Sequence, residues 1–201
     1  YERLVDFAQR RNLVVVNDNP YSFILNEGEH LSILAIDGAK ECCIELNSMS
    51  KSHNMPGWRV GMLAANAEFV SWILKVKSNI DSGTFRAVQL AAAAAMDNDE
   101  DWHREHNVRR YAERRTLAES IMQALGCRFD RDQTGLFLWG RIPDALADAE
   151  ELTERALHEA DVFITPGGIF GQNGRRYVRI SLCADENRMS DALARIQNVF
   201  A

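Results

Sequence analysis

The sequence lacks a long hydrophobic run, an excess of positive charge and any closely spaced cysteine pair of the metal-binding kind. Among its 201 residues no stretch reaches the roughly 18 apolar residues that a membrane-crossing helix requires. The most apolar run, Ala87 to Met96, is interrupted by Gln89. The first residues do not show the charged-then-apolar pattern of a secretory signal. Lys and Arg number 23 against 29 Asp and Glu, a net charge of −6, and the pI is about 5.4. Such a surface repels phosphate, which argues against nucleic acids and anionic membranes as general partners. The four cysteines, Cys42, Cys43, Cys127 and Cys183, form no Cys-x-x-Cys, so neither a zinc site nor a dithiol centre is supported. Cys42 and Cys43 are neighbours on a predicted strand, where side chains alternate faces, and are not expected to pair. A reducing, cytoplasmic compartment is expected. The chain has no internal repeat and no low-complexity linker.

What is present is ordinary globular material: 46% hydrophobic and 26% charged residues, enough for a sizeable core. The length suits one domain or two small ones. Tyr1 to Asn12 reads as the end of a helix with Leu4, Val5 and Ala8 on one side, and a strand follows at once. The chain opens as though something preceded it, and a fragment or a trimmed product is expected.

Leu13-Val14-Val15-Val16 is a short, β-branched, wholly apolar run of the kind that forms buried parallel strands. Further strands are predicted at Cys42–Leu46 and Arg59–Ala65, and helices over Glu68–Lys77, Ala87–Met96 and Trp102–Leu125, the last stopped by Gly126. Beyond Gly126 the pattern becomes α+β. Strands are predicted at Cys127–Phe129, Leu136–Trp139, Val162–Ile164 and Tyr177–Ser181, and helices at Ala147–Glu159 and Glu186–Phe200. Residues 1–100 and 101–201 are therefore expected to form separate domains, the second including the long connecting helix.

The most informative stretch runs from Ser48 to Gly61, Ser-Met-Ser-Lys-Ser-His-Asn-Met-Pro-Gly-Trp-Arg-Val-Gly. Lys51 sits in a polar loop after a strand, and Arg59 opens the next strand between Gly57 and Gly61. This resembles the cofactor-lysine signature of the class I/II aminotransferases, fold-type I enzymes that use pyridoxal 5′-phosphate (PLP). Asp18-Asn19-Pro20-Tyr21 is similar to that family's Asp-x-x-Tyr after a strand. Pro166-Gly167-Gly168-Ile169-Phe170-Gly171 and Tyr177-Val178-Arg179-Ile180-Ser181 are similar to its Pro-Gly loop and terminal arginine strand. Ser48-x-x-Lys51 also spells a penicillin-binding motif, but Ser-Asp-Asn and Lys-Thr-Gly are absent, and Met55-Pro56-Gly57 would break the helix that such a serine opens.

The resemblance implies an α/β fold. It would comprise the C-terminal part of a PLP-binding large domain, with a mixed, mostly parallel sheet, followed by an α+β small domain. It also implies site residues. Lys51 would capture the cofactor aldehyde as an imine and shuttle a proton. Asp18 would hold the pyridine nitrogen and Tyr21 would donate to the ring oxygen. Ser48 and Arg59 would hold the phosphate, and Arg179 the substrate α-carboxylate. No metal is expected: His103-x-x-His106 is incomplete as a ligand set and reads as a solvated helix face. Arg109, Arg110, Arg114 and Arg115 alternate with Glu105, Glu113 and Glu119, which reads as an exposed, salt-bridged helix. Pro166-Gly167-Gly168 lacks the ending of a Walker loop.

The family is normally about twice this length. The half that contributes a glycine loop to the phosphate, an aromatic ring on the pyridine and an Asn to the ring oxygen has no counterpart here. The large-domain sheet is thus expected to lack strands and expose an apolar edge. The isolated chain is expected to bind PLP weakly and not to turn over. The implied activity is amino-group transfer from an amino acid to a 2-oxo acid in a parent homodimer, with no nucleic acid or membrane partner. Ser78-Asn79-Ile80-Asp81-Ser82-Gly83 is similar to a subgroup with aspartate and LL-diaminopimelate aminotransferases, which suggests a dicarboxylic or diamino substrate. A PLP-dependent lyase, or the ligand-sensing domain of a transcription regulator, is the alternative.

Overall fold

The computed structural model describes residues 1–200, the side chain of Asp99 apart. The chain divides into two compact units, Tyr1–Asn107 and Val108–Ala201.

The first unit begins with α1 (Glu2–Arg11), which buries Val5 and Ala8 but leaves Leu4 exposed, so the predicted apolar side is narrower than expected. Asn12 ends it in a left-handed conformation. β1 (Val15–Asp18) pairs in parallel with β2 (Cys43–Ser48), Asp18 opposite Leu46. β2 pairs antiparallel with β3 (Gly61–Ala64), Ser48 opposite Gly61. The result is a mixed sheet of order β1-β2-β3. Val5, Ala8, Ile33, Ala39, Cys42 and Cys43 form a core against it.

The expectation of a fully buried first strand is corrected. Val14 and Val16 are 56% and 55% exposed. The cause is position: β1 lies at the edge of its sheet, with no strand beyond it among the described residues. Cys42 and Cys43 are free thiols, as expected, but they do not face apart. Cys42 precedes the strand, and the two Sγ atoms lie 3.7 Å apart rather than on opposite faces. Burial and the neighbouring Cys42 push the Cys43 thiol up to about 11, and burial pushes Cys127 up to about 12, so both stay protonated near neutrality.

After β2 come a one-turn helix α2 (Met49–Ser52), then α3 (Ala67–Ile80) and α4 (Arg86–Met96) beyond β3. Ala92 of α4 packs with Met49 and Met55. The predicted continuous helix over Trp102–Leu125 is not continuous. It is built as α5 (Asp99–Trp102), a π-helical segment His103–Arg110 and α6 (Tyr111–Ala124).

The second unit is a four-stranded antiparallel sheet of order β4-β5-β7-β6, formed by β4 (Arg128–Phe129), β5 (Phe137–Arg141), β6 (Thr165–Pro166) and β7 (Tyr177–Ser181). Leu138, Val178 and Ile180 point to its buried face, and α6, α7 (Ala149–Ala160) and α8 (Glu186–Phe200) contribute Ile121, Ala156 and Ile196 to the core. The strand predicted at Val162–Ile164 is displaced to Thr165–Pro166. Val162 N–H bonds back to the Ala156 carbonyl at 3.1 Å, so this apolar run closes α7 instead of pairing. The arginine stripe is corrected in part. Arg109 pairs with Glu113 and Arg115 with Glu119, but Arg114 is 12% exposed and reaches Glu186 of α8 at 2.8 Å.

Gly167 of this unit is where the chain passes close to itself. A Cβ there would stand 2.7 Å from the Tyr177 carbonyl and 2.8 Å from the Trp139 ring. Gly167→Ala is expected to destabilise the protein by about 1–3 kcal/mol, the usual range for overpacking, and chemical denaturation will read this as a lower midpoint.

The same unit is expected to be sensitive to acid. Asp144 is held below the ordinary carboxylate value by a hydrogen bond from Arg128 and by the Arg141 and Arg176 charges. Asp148 is lowered by the Glu151 amide and Arg175, and Glu186 by a backbone amide and Arg114. A lowered folded-state value means the stabilisation is complete above the unfolded value near pH ~4 and is lost as pH falls through the folded one. Thermal midpoints are expected to drop below about pH 4, with part of the drop abolished by Asp144→Asn.

Candidate active site

Parallel pairing puts the C-terminal ends of β1 and β2 at one edge of the first unit's sheet, and antiparallel pairing starts β3 there too. Three of the sequence-predicted residues take their places from this topology. Asp18 ends β1, Ser48 ends β2, and Arg59 stands just before β3. Such carboxyl edges are where open α/β sheets bind ligands.

Ser48 also caps α2, its Oγ accepting the Ser50 N–H at 3.2 Å. Lys51 therefore lies on a helical turn rather than in the expected open loop. The serine does open a helix, which removes one of the two arguments against the penicillin-binding reading and leaves the missing partner motifs. Its hydroxyl proton remains available to an anion. Lys51 is half-buried, and its Nζ stands 5.9 Å from the centre of the Tyr21 ring. Among the described residues neither the Lys51 ammonium nor the Asp18 carboxylate has an ion-pair partner. Asp18 is exposed, not enclosed by a buried strand as expected, because β1 is the sheet edge.

Arg59 adopts φ 52°, a left-handed conformation uncommon for a side chain of its size. It precedes the strand rather than opening it, is exposed, and donates from Nη1 to the Pro56 carbonyl at 2.9 Å. Of the two glycines that frame it, Gly61 is the one sterics require. A Cβ there would stand 2.7 Å from the Asn47 carbonyl, whereas Gly57 has nothing within 4 Å.

Arg179 belongs to the second unit. It sits mid-strand in β7, opposite Trp139 and Thr165, rather than at a strand end. Its guanidinium carbon lies 4.2 Å from the centre of the Phe137 ring and 4.4 Å from that of Phe170. Its Nε is buried without a hydrogen-bond partner. A cation sandwiched by aromatic faces, with a donor aimed at no protein acceptor, is suited to a planar anion such as a carboxylate.

The sequence of the chain matches the family described as aminotransferase class I and II over residues 1–196. The chain belongs to that family. It is 38% identical to the LL-diaminopimelate aminotransferase of Aquifex aeolicus (strain VF5) over 99% of the chain and 51% of the relative. To that of Nitratidesulfovibrio vulgaris (strain DSM 19637 / Miyazaki F) it is 35% identical over the same shares. Among solved structures, apo-BacF from Bacillus subtilis superposes with a TM-score of 0.87 at 29% identity, covering 100% of this chain and 51% of that one. A probable N-succinyldiaminopimelate aminotransferase from Thermus thermophilus gives 0.85 at 32%, covering 98% and 53%. This aminotransferase chain thus spans about half the length of the curated relatives it matches.

Sequence reasoning missed two features of the site. The Phe137 and Phe170 clamp on Arg179 was readable in part, since Phe137 and Trp139 alternate with the buried Leu138 and Gly140 along β5. The other is the segment around Trp102 and Asn107, which supports the lysine turn and which an α-helical reading hides. The two histidines nearby do not lie together on a solvated face. His106 is buried and stacks on Trp102, while the His103 ring packs against His30 and Phe23.

Proposed function

We propose that the protein to which this chain belongs is a PLP-dependent aminotransferase. In this reading residues 1–100 supply the C-terminal portion of the cofactor-binding domain and residues 101–201 the small domain with its connecting helix, a reading supported by a division into compact units at Asn107. One observation carries the reading. An amine, a carboxylate without an ion pair among the described residues, a capping hydroxyl and a guanidinium are gathered at one end of the first unit's sheet. That donor set fits PLP: the amine suits the aldehyde, the carboxylate a protonated ring nitrogen, and the hydroxyl and guanidinium a phosphate. In the second unit the buried Nε of Arg179 suits a carboxylate.

The cofactor, when bound, supplies an electron sink for the bonds at the substrate Cα. The chain's residues do the rest. Asp18 would hold a proton on the ring nitrogen. Tyr21 would donate its phenol to the ring oxygen. Ser48 and Arg59 would hold the phosphate, the guanidinium exchanging the Pro56 carbonyl for it. Lys51 would hold the cofactor's aldehyde end and, through Nζ, accept and return the substrate Cα proton. Arg179 orients the α-carboxylate.

The substrates are an amino acid and a 2-oxo acid, and the names of the relatives support a diamino dicarboxylic acid. A homodimer in the cytoplasm, without nucleic acid or membrane partners, completes the proposal; among the described residues no helix is long and apolar enough to cross a membrane. The test is to treat the full-length protein with PLP and borohydride and map the label by mass spectrometry. Label on Lys51 ahead of Lys40, Lys75 and Lys77 is expected. A label spread evenly over the lysines would reject the assignment.

A further inference from the structure

We infer that Asn107, together with Trp102, is a positioning residue for Lys51, an inference that rests on reading Lys51 as the cofactor lysine. The last carbonyls of any helix, α2 included, have no N–H of their own helix to accept from. Here the Met49 carbonyl is served locally, by the His53 and Met55 amides at 3.1 and 3.3 Å. The Ser52 carbonyl, next in sequence to Lys51, is served from far along the chain. It accepts from the Trp102 indole Nε1 at 2.7 Å and from the Asn107 amide Nδ2 at 2.8 Å. Both donors are side chains, and both act on the backbone atom that terminates the turn carrying the amine.

Asn107 is 1% exposed, and its Oδ1, its Nδ2 and its backbone carbonyl each have a hydrogen-bond partner. Its Oδ1 accepts from the buried His106 Nδ1 at 3.1 Å, which orients the amide so that its NH2 faces Ser52. Its own carbonyl accepts the Leu25 N–H at 3.0 Å. Leu25 lies in the loop that follows Asp18 and Tyr21, and it is held at φ 55°, a conformation that side chains seldom adopt unless surrounding contacts impose it. One buried residue therefore ties the lysine turn, through its side-chain amide, to the loop leaving the carboxylate strand, through its backbone carbonyl.

The convergence depends on the interruption in the helix. Residues five apart on an α-helix are about 140° apart around its axis and face different ways. The π-helical register that begins at His103 brings Trp102 and Asn107 onto a single carbonyl. Such insertions recur at functional sites.

The test uses the full-length protein with Trp102→Phe, Asn107→Asp and the double variant. Phenylalanine removes the indole donor and keeps an aromatic ring to stack on His106, whose centre lies 4.2 Å from that of the indole, so it guards against a variant that fails to fold. Each single variant is expected to slow borohydride-trapped PLP labelling of Lys51 about tenfold, and the double variant about a hundredfold. Labelling of Lys40, Lys75 and Lys77 should not change. Amide exchange over residues 49–55 should accelerate in the same order, a readout that needs no cofactor. Unchanged Lys51 labelling together with unchanged exchange in Trp102→Phe would overturn the inference. If the wild type labels Lys51 no faster than the other lysines, the cofactor reading fails on its own account. The exchange data then still decide whether these two side chains hold the turn.

Discussion

Lys51→Ala is expected to remove the visible absorbance that PLP acquires on the protein and to lower transamination by about 10²–10⁴-fold or more. The magnitude follows from one Nζ carrying two roles, covalent capture and proton transfer, neither of which a neighbour can assume: the other lysines, Lys40, Lys75 and Lys77, lie on other elements. Lys51→Arg separates charge from nucleophilicity. A guanidinium keeps the cation beside the Tyr21 ring, yet stays protonated and does not condense with an aldehyde. Both variants are expected to unfold within a few degrees of the wild type, since Lys51 is half-buried and among the described residues has no ion pair to lose. Retention of the visible band in Lys51→Arg would show that the amine is elsewhere.

How far the sequence foretells this molecule varies with the kind of signal. β7 and α8 were readable to the residue. Val178 and Ile180 alternate cleanly with Tyr177 and Arg179, and α8 carries its buried Met189 and Ile196 a whole number of heptads apart. Local patterns of this sort are decided by one buried face. Readings failed where the outcome depended on a partner distant in the chain. Leu13 to Val16 has the composition of a central strand, but its exposure is decided by how many strands flank it, which no window contains. Val162 to Ile164 has strand composition, yet the Ala156 carbonyl takes the Val162 amide first.

The site divides along the same line. Asp18, Ser48, Lys51 and Arg59 could be named because each sits in a short motif, and the parallel β1–β2 pair with the antiparallel β3 then carries them to one edge. Their local conformations were not legible. The turn at Lys51, the left-handed Arg59 and its bond to Pro56 all depend on residues beyond the motif. The π-helical segment is the extreme case. Its sequence, His-Arg-Glu-His-Asn-Val-Arg-Arg, has good α-helical periodicity on either side, and its bonds to the Ser52 carbonyl and from the Leu25 amide are to residues no local window contains.

Arg179→Ala carries the second large effect. Removing one partner of a desolvated charge pair costs about 3–5 kcal/mol, which corresponds to roughly 10²–10⁴-fold in kcat/KM. The loss is expected mainly in substrate binding, with the visible PLP band intact, because Arg179 belongs to the second unit and the residues proposed for the cofactor to the first. Lysine is a poor replacement. It cannot fork to two carboxylate oxygens, and it forfeits stacking between Phe137 and Phe170 at 4.2 and 4.4 Å. Arg179→Lys should therefore recover only a small part of the loss. Phe170 is 52% exposed, so Phe170→Ala leaves the fold standing while freeing one face of the guanidinium. It should raise KM by a smaller factor, on the order of tenfold or less. The decisive comparison is between an amino acid and the corresponding amine without its carboxyl group. The wild type should strongly prefer the acid, and Arg179→Ala should process the two at similar rates. A preference that survives the substitution would mean that the carboxylate is bound elsewhere and that the free Nε of Arg179 answers to another anion.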